Sequence, residues 1–171
     1  MRDNDALDNN PHVSRSALEA IHSQVFGWAL SRCDFDHATA EDLMQQAYVE
    51  LLSGNARFNN ESSLKTFVFS VVQNLARSRF RRISSRLRLI RQYRPDRVTE
   101  PVEPVADDGV WHAVRALPAR QRDIIELVFC RELTIEQASA VMGVSIGTGR
   151  VHYERAKKAL RSRLQHYAEE K

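Results

Sequence analysis

At 171 residues, this chain is long enough for one medium domain or two small ones. Apolar residues make up 43% and charged residues 27%, the usual balance of a globular protein in water. No apolar run could span a bilayer and residues 1–10 are polar, so we expect neither membrane insertion nor a secretory signal. Cys33 and Cys130 lie within apolar helical patterns, which favours buried thiols in a reducing cytoplasm. A zinc site at Cys33 and His37 would lack its remaining ligands, so we expect no metal.

The net charge of +3 is distributed unevenly along the chain. Residues 73–97 contain nine arginines and one acid, and residues 150–163 contain six Lys or Arg and one acid. Between these two regions, residues 99–108 carry four acids and no base. Two basic regions separated by an acidic connector indicate two contacts with a polyanion, from which the connector is kept away.

The first part of the chain predicts three helices. Residues up to about 14 are polar, and we expect them to be frayed. Apolar residues recur at helical spacing from Leu18 to Ala29 and predict a first helix. Thr39 is a candidate N-cap for a second helix. The buried side of that second helix is predicted to carry Leu43, Ala47, Leu51 and Leu52.

A turn-rich loop, residues 53–63, contains one aromatic residue, Phe58, and precedes the third helix. That helix begins near Leu64, becomes arginine-rich, and continues over residues 86–94 as a basic helix or a fraying extension. We therefore bound a first domain at residues 1–94. Three prolines without apolar periodicity mark residues 95–108 as a linker.

Residues 109–171 predict a second domain that is also entirely helical. A helix over residues 110–117 is followed by Pro118, which suits the first position of the next helix. No strand is predicted anywhere in the chain. The fold class is therefore all-α, with two small helical domains joined by a flexible acidic linker.

The last part of this domain has the pattern of a helix-turn-helix. Thr134 and Gln137 have the spacing of a capping box, and Gly143 ends the short first helix. Ser145 is a candidate cap for a long basic second helix. A helical hairpin with a charged face is the alternative, but the turn spacing and the small Ala138 at the close approach of the helices favour DNA binding.

The sequence offers no pattern for catalysis. It has no glycine-rich phosphate loop, no HExxH helix and no paired cysteine motif, and its six histidines are scattered. We therefore expect neither an enzyme nor a cofactor.

Both halves resemble the extracytoplasmic-function (ECF) group of bacterial sigma factors, the small initiation subunits of RNA polymerase. Residues 117–160 resemble the group's promoter −35 domain. In the first half the resemblance is carried by residues 40–52, Phe58 and residues 63–82, which look like the polymerase-binding helix and the −10 recognition and melting segment. It covers about residues 18–164, and both halves occur in the order typical of the group.

The resemblance implies roles for three groups of residues. Docking on a coiled-coil surface of the polymerase's large subunit would use Asp42, Gln45, Gln46 and Tyr48. Holding a flipped base and the phosphates of the −10 element would use Phe58, Asn59, Asn60, Ser62, Asn74, Arg77, Arg79, Arg81 and Arg82. Major-groove recognition of the −35 element would use Ser145, Thr148, Arg150, His152, Glu154, Arg155 and Lys158. Among the last group, Arg150 is the expected base reader, and Arg155 or Lys158 the expected phosphate contact.

The implied partners are core RNA polymerase, promoter DNA and an anti-sigma factor, with the acidic linker threading the polymerase cleft. The chain departs from the group's pattern at a few positions. Phe67 and Val68 stand where tryptophan and leucine are usual, and Ser78 stands where aspartate is common. Gly149 replaces a common valine in the reading helix, at a cost of about 1 kcal/mol relative to alanine. We expect it to allow close approach of the helix to the DNA backbone.

Two other classes of function are compatible with the helix-turn-helix. A two-domain transcriptional regulator acting without core polymerase would need a dimer interface for a palindromic operator, and the sequence has no additional dimerisation helix. A sigma mimic that only sequesters a regulator would need no phosphate contacts, which the arginines of residues 73–97 argue against.

Overall fold

The computed structural model of the protein describes residues 6–7, 9–93 and 109–169. Helices dominate, as predicted, and the chain divides into two compact units, Met1–Ser85 and Arg86–Lys171. The predicted linker, residues 95–108, lies outside the described residues, so the predicted domain boundaries stay predictions. No described helix is both long and apolar enough to cross a bilayer. The described residues also contain no group of three or more His, Cys, Asp or Glu side chains suited to a metal ion.

The first unit contains a short hairpin and three helices. The elements are β1 (Ala6–Leu7), β2 (Asn10–Ser14), α1 (Arg15–Arg32), α2 (His37–Leu52) and α3 (Leu64–Tyr93), which continues past the boundary of the unit at Ser85. The two strands pair in antiparallel fashion. The prediction of a frayed segment without strands is therefore wrong for Ala6–Leu7 and Asn10–Ser14, and residues 1–5 and 8 lie outside the described residues. Asn10 and Val13 of β2 are buried, because both side chains face the helical unit rather than water.

Side-chain caps fix where α1 and α2 begin. Ser14 caps α1 by accepting the Ala17 N–H at 3.1 Å. Asp36 caps α2 by accepting the Thr39 N–H at 2.7 Å, so the prediction of Thr39 as the N-cap is wrong by one turn. The hydrogen bonds from the backbone N–H and the hydroxyl of Thr39 lower the pKa of the Asp36 carboxyl, because they favour its ionised form.

The core of the first unit is centred on an aromatic pair from α1 and α3. The rings of Trp28 and Phe69 stack at 5.8 Å, and the Trp28 indole N–H donates to the Phe69 carbonyl at 3.2 Å. The Arg32 guanidinium covers the Trp28 ring at 4.1 Å. The buried residues of α2 are Ala40, Leu43, Met44, Ala47 and Leu51. Leu52, predicted to be buried, is 50% exposed, because helical spacing places it on the same outward face of α2 as the exposed Gln45 and Val49.

The second unit contains four helices and a π-helical turn. The elements are α4 (Gly109–Arg115), α5 (Ala119–Ile125), the π turn (Glu126–Cys130), α6 (Ile135–Met142) and α7 (Ile146–Glu169). Pro118 is the N-cap of α5 rather than its first residue. Ile124, Leu127 and Met142 are fully buried. They form the core against which α7 packs.

The cysteines differ from the prediction of two buried thiols. Cys33 is partly buried, whereas Cys130 is exposed. Cys130 ends the π turn, whose wider winding turns both Cys130 and Phe129 outward, and Phe129 is 62% exposed. Burial is nevertheless the main cause that raises the pKa of each thiol, so both are protonated at neutral pH.

Candidate nucleic-acid interface

The turn between α6 and α7 is built from local caps. Thr134 and Gln137 form the predicted capping box, with the two hydrogen bonds at 3.2 and 2.9 Å. Gly143 ends α6 with a φ of 64°, as predicted for a left-handed C-cap. Ser145 caps α7 by accepting the Thr148 N–H at 3.1 Å, which also confirms its prediction. The turn therefore presents the first turn of α7 to solvent.

Gly149 lies at the crossing of α6 and α7. It is buried, and a Cβ atom added there would lie 1.9 Å from the Ser139 Oγ and 3.0 Å from the Ser139 Cβ. The Ser139 hydroxyl is held in place by donating to the Ile135 carbonyl at 2.6 Å. The glycine therefore serves helix packing, and the expectation that it approaches the DNA backbone is wrong. Ala138 is buried as predicted, but Ser139 is the residue at closest approach.

The predicted −35 residues lie along the N-terminal half of α7. Six are exposed and His152 is partly buried; the exposed six are Ser145, Thr148, Arg150, Glu154, Arg155 and Lys158. Arg150 Nη2 lies 3.6 Å from Glu136 Oε1 on α6, and both side chains remain mostly exposed. This ion pair points the Arg150 side chain along the outer surface of the helix-turn-helix. Glu154 pairs with Lys157 at 3.4 Å, one turn further along α7.

The loop between α2 and α3 is anchored at both ends. At its start, the Phe58 ring is only 6% exposed and packs on the Phe67 ring at 5.2 Å. At its end, Ser63 caps α3 by accepting the Thr66 N–H at 3.1 Å. Between these anchors, Asn59, Asn60 and Ser62 are exposed, and Asn60 has a φ of 63°. The Phe58 ring is buried in the core of the unit, and its predicted contact with a base stays a prediction.

The predicted −10 residues of α3 follow this loop. Asn74 and the arginines Arg79, Arg81 and Arg82 are exposed, and Arg77 is partly buried. Helical spacing places Asn74, Arg77 and Arg81 on one face of α3. The departures from the group's pattern are explained by packing, since Val68 is fully buried and Phe67 contacts Phe58. Ser78 accepts a hydrogen bond from Arg81 at 3.2 Å.

The predicted polymerase-binding face is the outer side of α2. Asp42, Gln45 and Gln46 are exposed there. Val49, which is 52% exposed, lies on the same surface but is not among the predicted residues. Leu52, predicted to be buried, is exposed there as well. Helical spacing predicts this exposed face of α2 from the sequence, since positions 42, 45, 49 and 52 are three or four residues apart and share one side of the helix.

Tyr48 faces α1 rather than the centre of the exposed α2 surface. Its hydroxyl lies 3.2 Å from His22 Nδ1, and the two rings stack at 6.0 Å. Burial raises the pKa of the Tyr48 hydroxyl. Tyr48 is therefore only partly exposed, at the edge of the α2 surface formed by Asp42, Gln45, Val49 and Leu52.

Comparison with known families assigns both units. The Sigma-70 region 2 model matches residues 17–86, and the Sigma-70 region 4 model matches residues 108–160. A similar protein is the ECF RNA polymerase sigma factor SigC of Mycobacterium tuberculosis, 28% identical over 161 residues that cover 91% of this chain and 85% of the relative. The chain belongs to the ECF sigma factors. Its function is that of the family: it directs core RNA polymerase to promoters and initiates transcription.

Another curated relative and two solved structures are also similar to this chain. SigF of Caulobacter vibrioides is also an ECF sigma factor, 26% identical over 164 residues that cover 92% of this chain and 89% of the relative. The structure of the sigma factor RpoE in complex with the anti-sigma factor NepR, from Bartonella quintana, is similar in fold. It is 23% identical, with a TM-score of 0.66, and the match covers 88% of this chain and 96% of that one. CnrH in complex with the cytosolic domain of CnrY gives a TM-score of 0.60 at 22% identity, covering 88% and 87% of the two chains.

The matches decide between the alternatives left by the sequence. A regulator that acts without polymerase would account for a helix-turn-helix but not for a Sigma-70 region 2 in the first unit. Both units of this ECF sigma factor match their regions in the family's order.

Proposed function

We propose that three exposed surfaces of this sigma factor divide the work of initiation. The exposed face of α2, with Asp42, Gln45, Val49 and Leu52, binds core polymerase. The loop of residues 58–66, here called the −10 loop, opens the −10 element together with α3. The N-terminal half of α7 reads the −35 element. The observation that carries the proposal is the exposure of the −10 candidates. Apart from Phe58 and the partly buried Arg77, they lie exposed on one loop and the helix that it enters.

For the −10 element, the loop supplies the groups that a single-stranded base requires. The amides of Asn59 and Asn60 both donate and accept hydrogen bonds, as does the Ser62 hydroxyl. Asn74 and the α3 arginines continue this surface with amide and phosphate-binding groups. Phe58 takes a supporting role, because its buried ring fixes the start of the loop against Phe67.

For the −35 element, α7 enters the major groove with its exposed N-terminal half. A guanidinium can donate two hydrogen bonds to one guanine, which makes Arg150 the base reader. In the free protein the Arg150 guanidinium pairs with Glu136. Because this ion pair is exposed, it is weak, and DNA can displace Glu136 from Arg150. Arg155 and Lys158 contact phosphate further along the helix.

For core polymerase, α2 offers a mixed surface of polar and apolar side chains. Val49 and Leu52 supply the apolar area, and Asp42, Gln45 and Gln46 supply the polar border. Interfaces of this kind combine a desolvated apolar centre with a polar rim. Tyr48 contributes through the edge of its ring.

Further proposals extend from the family to this chain. We infer control by an anti-sigma factor, because RpoE and CnrH, which share its fold, are seen with NepR and the CnrY cytosolic domain. We also infer that the protein works in the cytoplasm, where polymerase and promoters are found, and that it is not an enzyme. The domains are proposed as residues 1–94 and 109–171, with residues 95–108 as the linker.

The test of the −10 assignment measures promoter opening separately from binding. Asn60→Ala, Ser62→Ala and Asn74→Ala are expected to retain core binding and −35 binding but to reduce permanganate reactivity of thymines near the start site. On a template with a pre-opened bubble, the same variants should recover most of the lost transcription, since unstacking bases costs a few kcal/mol only in the duplex. Equal failure on both templates would remove the opening role from this loop.

A further inference from the structure

One buried amide from the N-terminal strand connects three backbone groups of the segment that leads into the −10 loop. Asn10 is only 1% exposed. Its Nδ2 donates to the carbonyl of Leu51 and, at 3.0 Å, to the carbonyl of Ala56. Its Oδ1 accepts the N–H of Phe58 at 2.8 Å. Both donors of the amide and its acceptor are therefore occupied by backbone atoms more than forty residues away in sequence.

These contacts determine the conformation at the start of the loop. Leu51 lies in the last turn of α2, and Phe58 is the buried residue after which the exposed residues 59–62 begin. Asn10 bridges both, so it fixes the length and direction of the connecting turn. The exposed residues 59–62 therefore lie between two fixed positions. Phe58 contacts Asn10 and Phe67 at one end, and Ser63 caps α3 at the other.

Asn9, the residue before Asn10, adds a second contact between the N-terminal segment and the end of α2. Asn9 Nδ2 donates to the carbonyl of Leu52 at 2.7 Å. The backbone of Gly54 passes so close to this strand that an added Cβ would lie 3.1 Å from the Asn9 Cβ. The carbonyls of Leu51 and Leu52, at the end of α2, thus receive side-chain donors from Asn10 of β2 and from Asn9 in the turn before it. All of these donors precede residue 17, where the family match begins.

We propose that Asn10 is a positioning residue for promoter opening, and that β2 holds the −10 loop in its base-accepting conformation. This inference rests on the proposed role of the loop. The loop side chains that bind an unstacked base should already be in position before the base leaves the duplex. If the loop had to become ordered on binding, that cost would reduce the free energy available for unstacking the base. Without the Asn10 amide, the Phe58 N–H and the Ala56 carbonyl lose their hydrogen-bond partner, and the loop loses its first anchor. The Leu51 carbonyl keeps the Gly54 N–H at 3.3 Å.

The experiment compares Asn10→Ala with His12→Ala in the full chain. His12 is exposed on the same strand and makes a matched control. We expect Asn10→Ala to retain helicity, and core binding and −35 binding within about twofold. Open complex on linear duplex should fall about tenfold, equivalent to about 1.4 kcal/mol. Transcription from a pre-opened bubble should stay within about twofold of the parent protein. Amide exchange at Phe58 should accelerate in Asn10→Ala and remain unchanged in His12→Ala.

Several results would overturn the inference. Loss of helicity, or equal losses on duplex and bubble templates, would mean that Asn10 only supports the fold of the first unit. Unchanged opening, or the same defect in His12→Ala, would also refute it. Asn60→Ala, tested in parallel, separates this failure from failure of the proposed function. If Asn60→Ala impairs opening and Asn10→Ala does not, the loop assignment survives and the role of Asn10 does not.

Discussion

Replacing Gly149 with alanine is expected to destabilise the second unit, although glycine is a poor helix former. Helix propensity alone favours alanine by about 1 kcal/mol. Against this, the new Cβ would lie 1.9 Å from the Ser139 Oγ, so the hydroxyl would have to leave its hydrogen bond to Ile135. That loss costs about 1 kcal/mol, and the hydroxyl is left buried without a partner.

Rotation of the Ser139 side chain does not remove the whole conflict. The Ser139 Cβ would still lie 3.0 Å from the added methyl group, whatever the rotamer, so α6 and α7 must move apart. Overpacking of this kind costs about 1–3 kcal/mol, which exceeds the gain in helix propensity. We therefore expect Gly149→Ala to lower the free energy of unfolding by about 1–3 kcal/mol and to weaken −35 binding.

The assay is denaturant unfolding followed by far-ultraviolet circular dichroism, combined with binding of −35 duplex DNA. Ser139→Ala with Gly149→Ala provides a double-mutant cycle, in which removal of the hydroxyl should recover part of the loss. Ser139→Ala alone serves as the control. If Gly149→Ala stabilises the protein, or if the two substitutions act additively, the helices do not pack as closely as described.

Three further predictions concern separate surfaces. Arg150→Ala should cost about 1–3 kcal/mol in −35 binding and relax the preference at one base pair, measured by competition with single-base variants; a uniform loss with a reduced salt slope would indicate phosphate contact instead. Gln45→Glu combined with Tyr48→Glu should weaken binding to core polymerase in a pull-down without changing helicity, and unchanged affinity would remove Gln45 and Tyr48 from the interface. The lowered pKa of Asp36 means that its stabilising contribution is present above the ordinary carboxyl pKa and is lost as pH falls through the lowered value. Asp36→Asn should therefore flatten the acid limb of the pH dependence of unfolding, and an unaltered limb would contradict this.

Local rules explain what the sequence predicted correctly. The capping box of Thr134 and Gln137 and the left-handed Gly143 depend only on neighbours within a few residues. The start of α2 was missed because Asp36 and Thr39 are both good capping residues, one turn apart. Asp34 and Phe35 form the turn before α2 with positive φ values of 49° and 63°. The two aspartates predict a break over residues 33–37, but a phenylalanine seldom adopts a positive φ.

Contacts distant in sequence explain the rest. Asn10 is a polar residue in a polar segment, and its burial depends on carbonyls that α2 supplies some forty residues later. Phe58 was assigned to DNA because an aromatic in a polar loop suits base stacking, but Phe67 provides it with an apolar neighbour. Gly149 was assigned to DNA for a similar reason, since its true neighbour, Ser139, lies on another helix.

The side-chain donors that Asn9 and Asn10 supply to the end of α2 affect how sigma factors can be recombined. An exchange of region 2 between two factors would ordinarily be cut where the family match starts, at residue 17. Such a hybrid would inherit the −10 loop of this protein without Asn9 and Asn10, which lie upstream of the cut. A junction placed before residue 9 transfers the loop together with its anchor. Hybrids made at the two junctions would share every predicted DNA contact and still differ in how well they open a promoter.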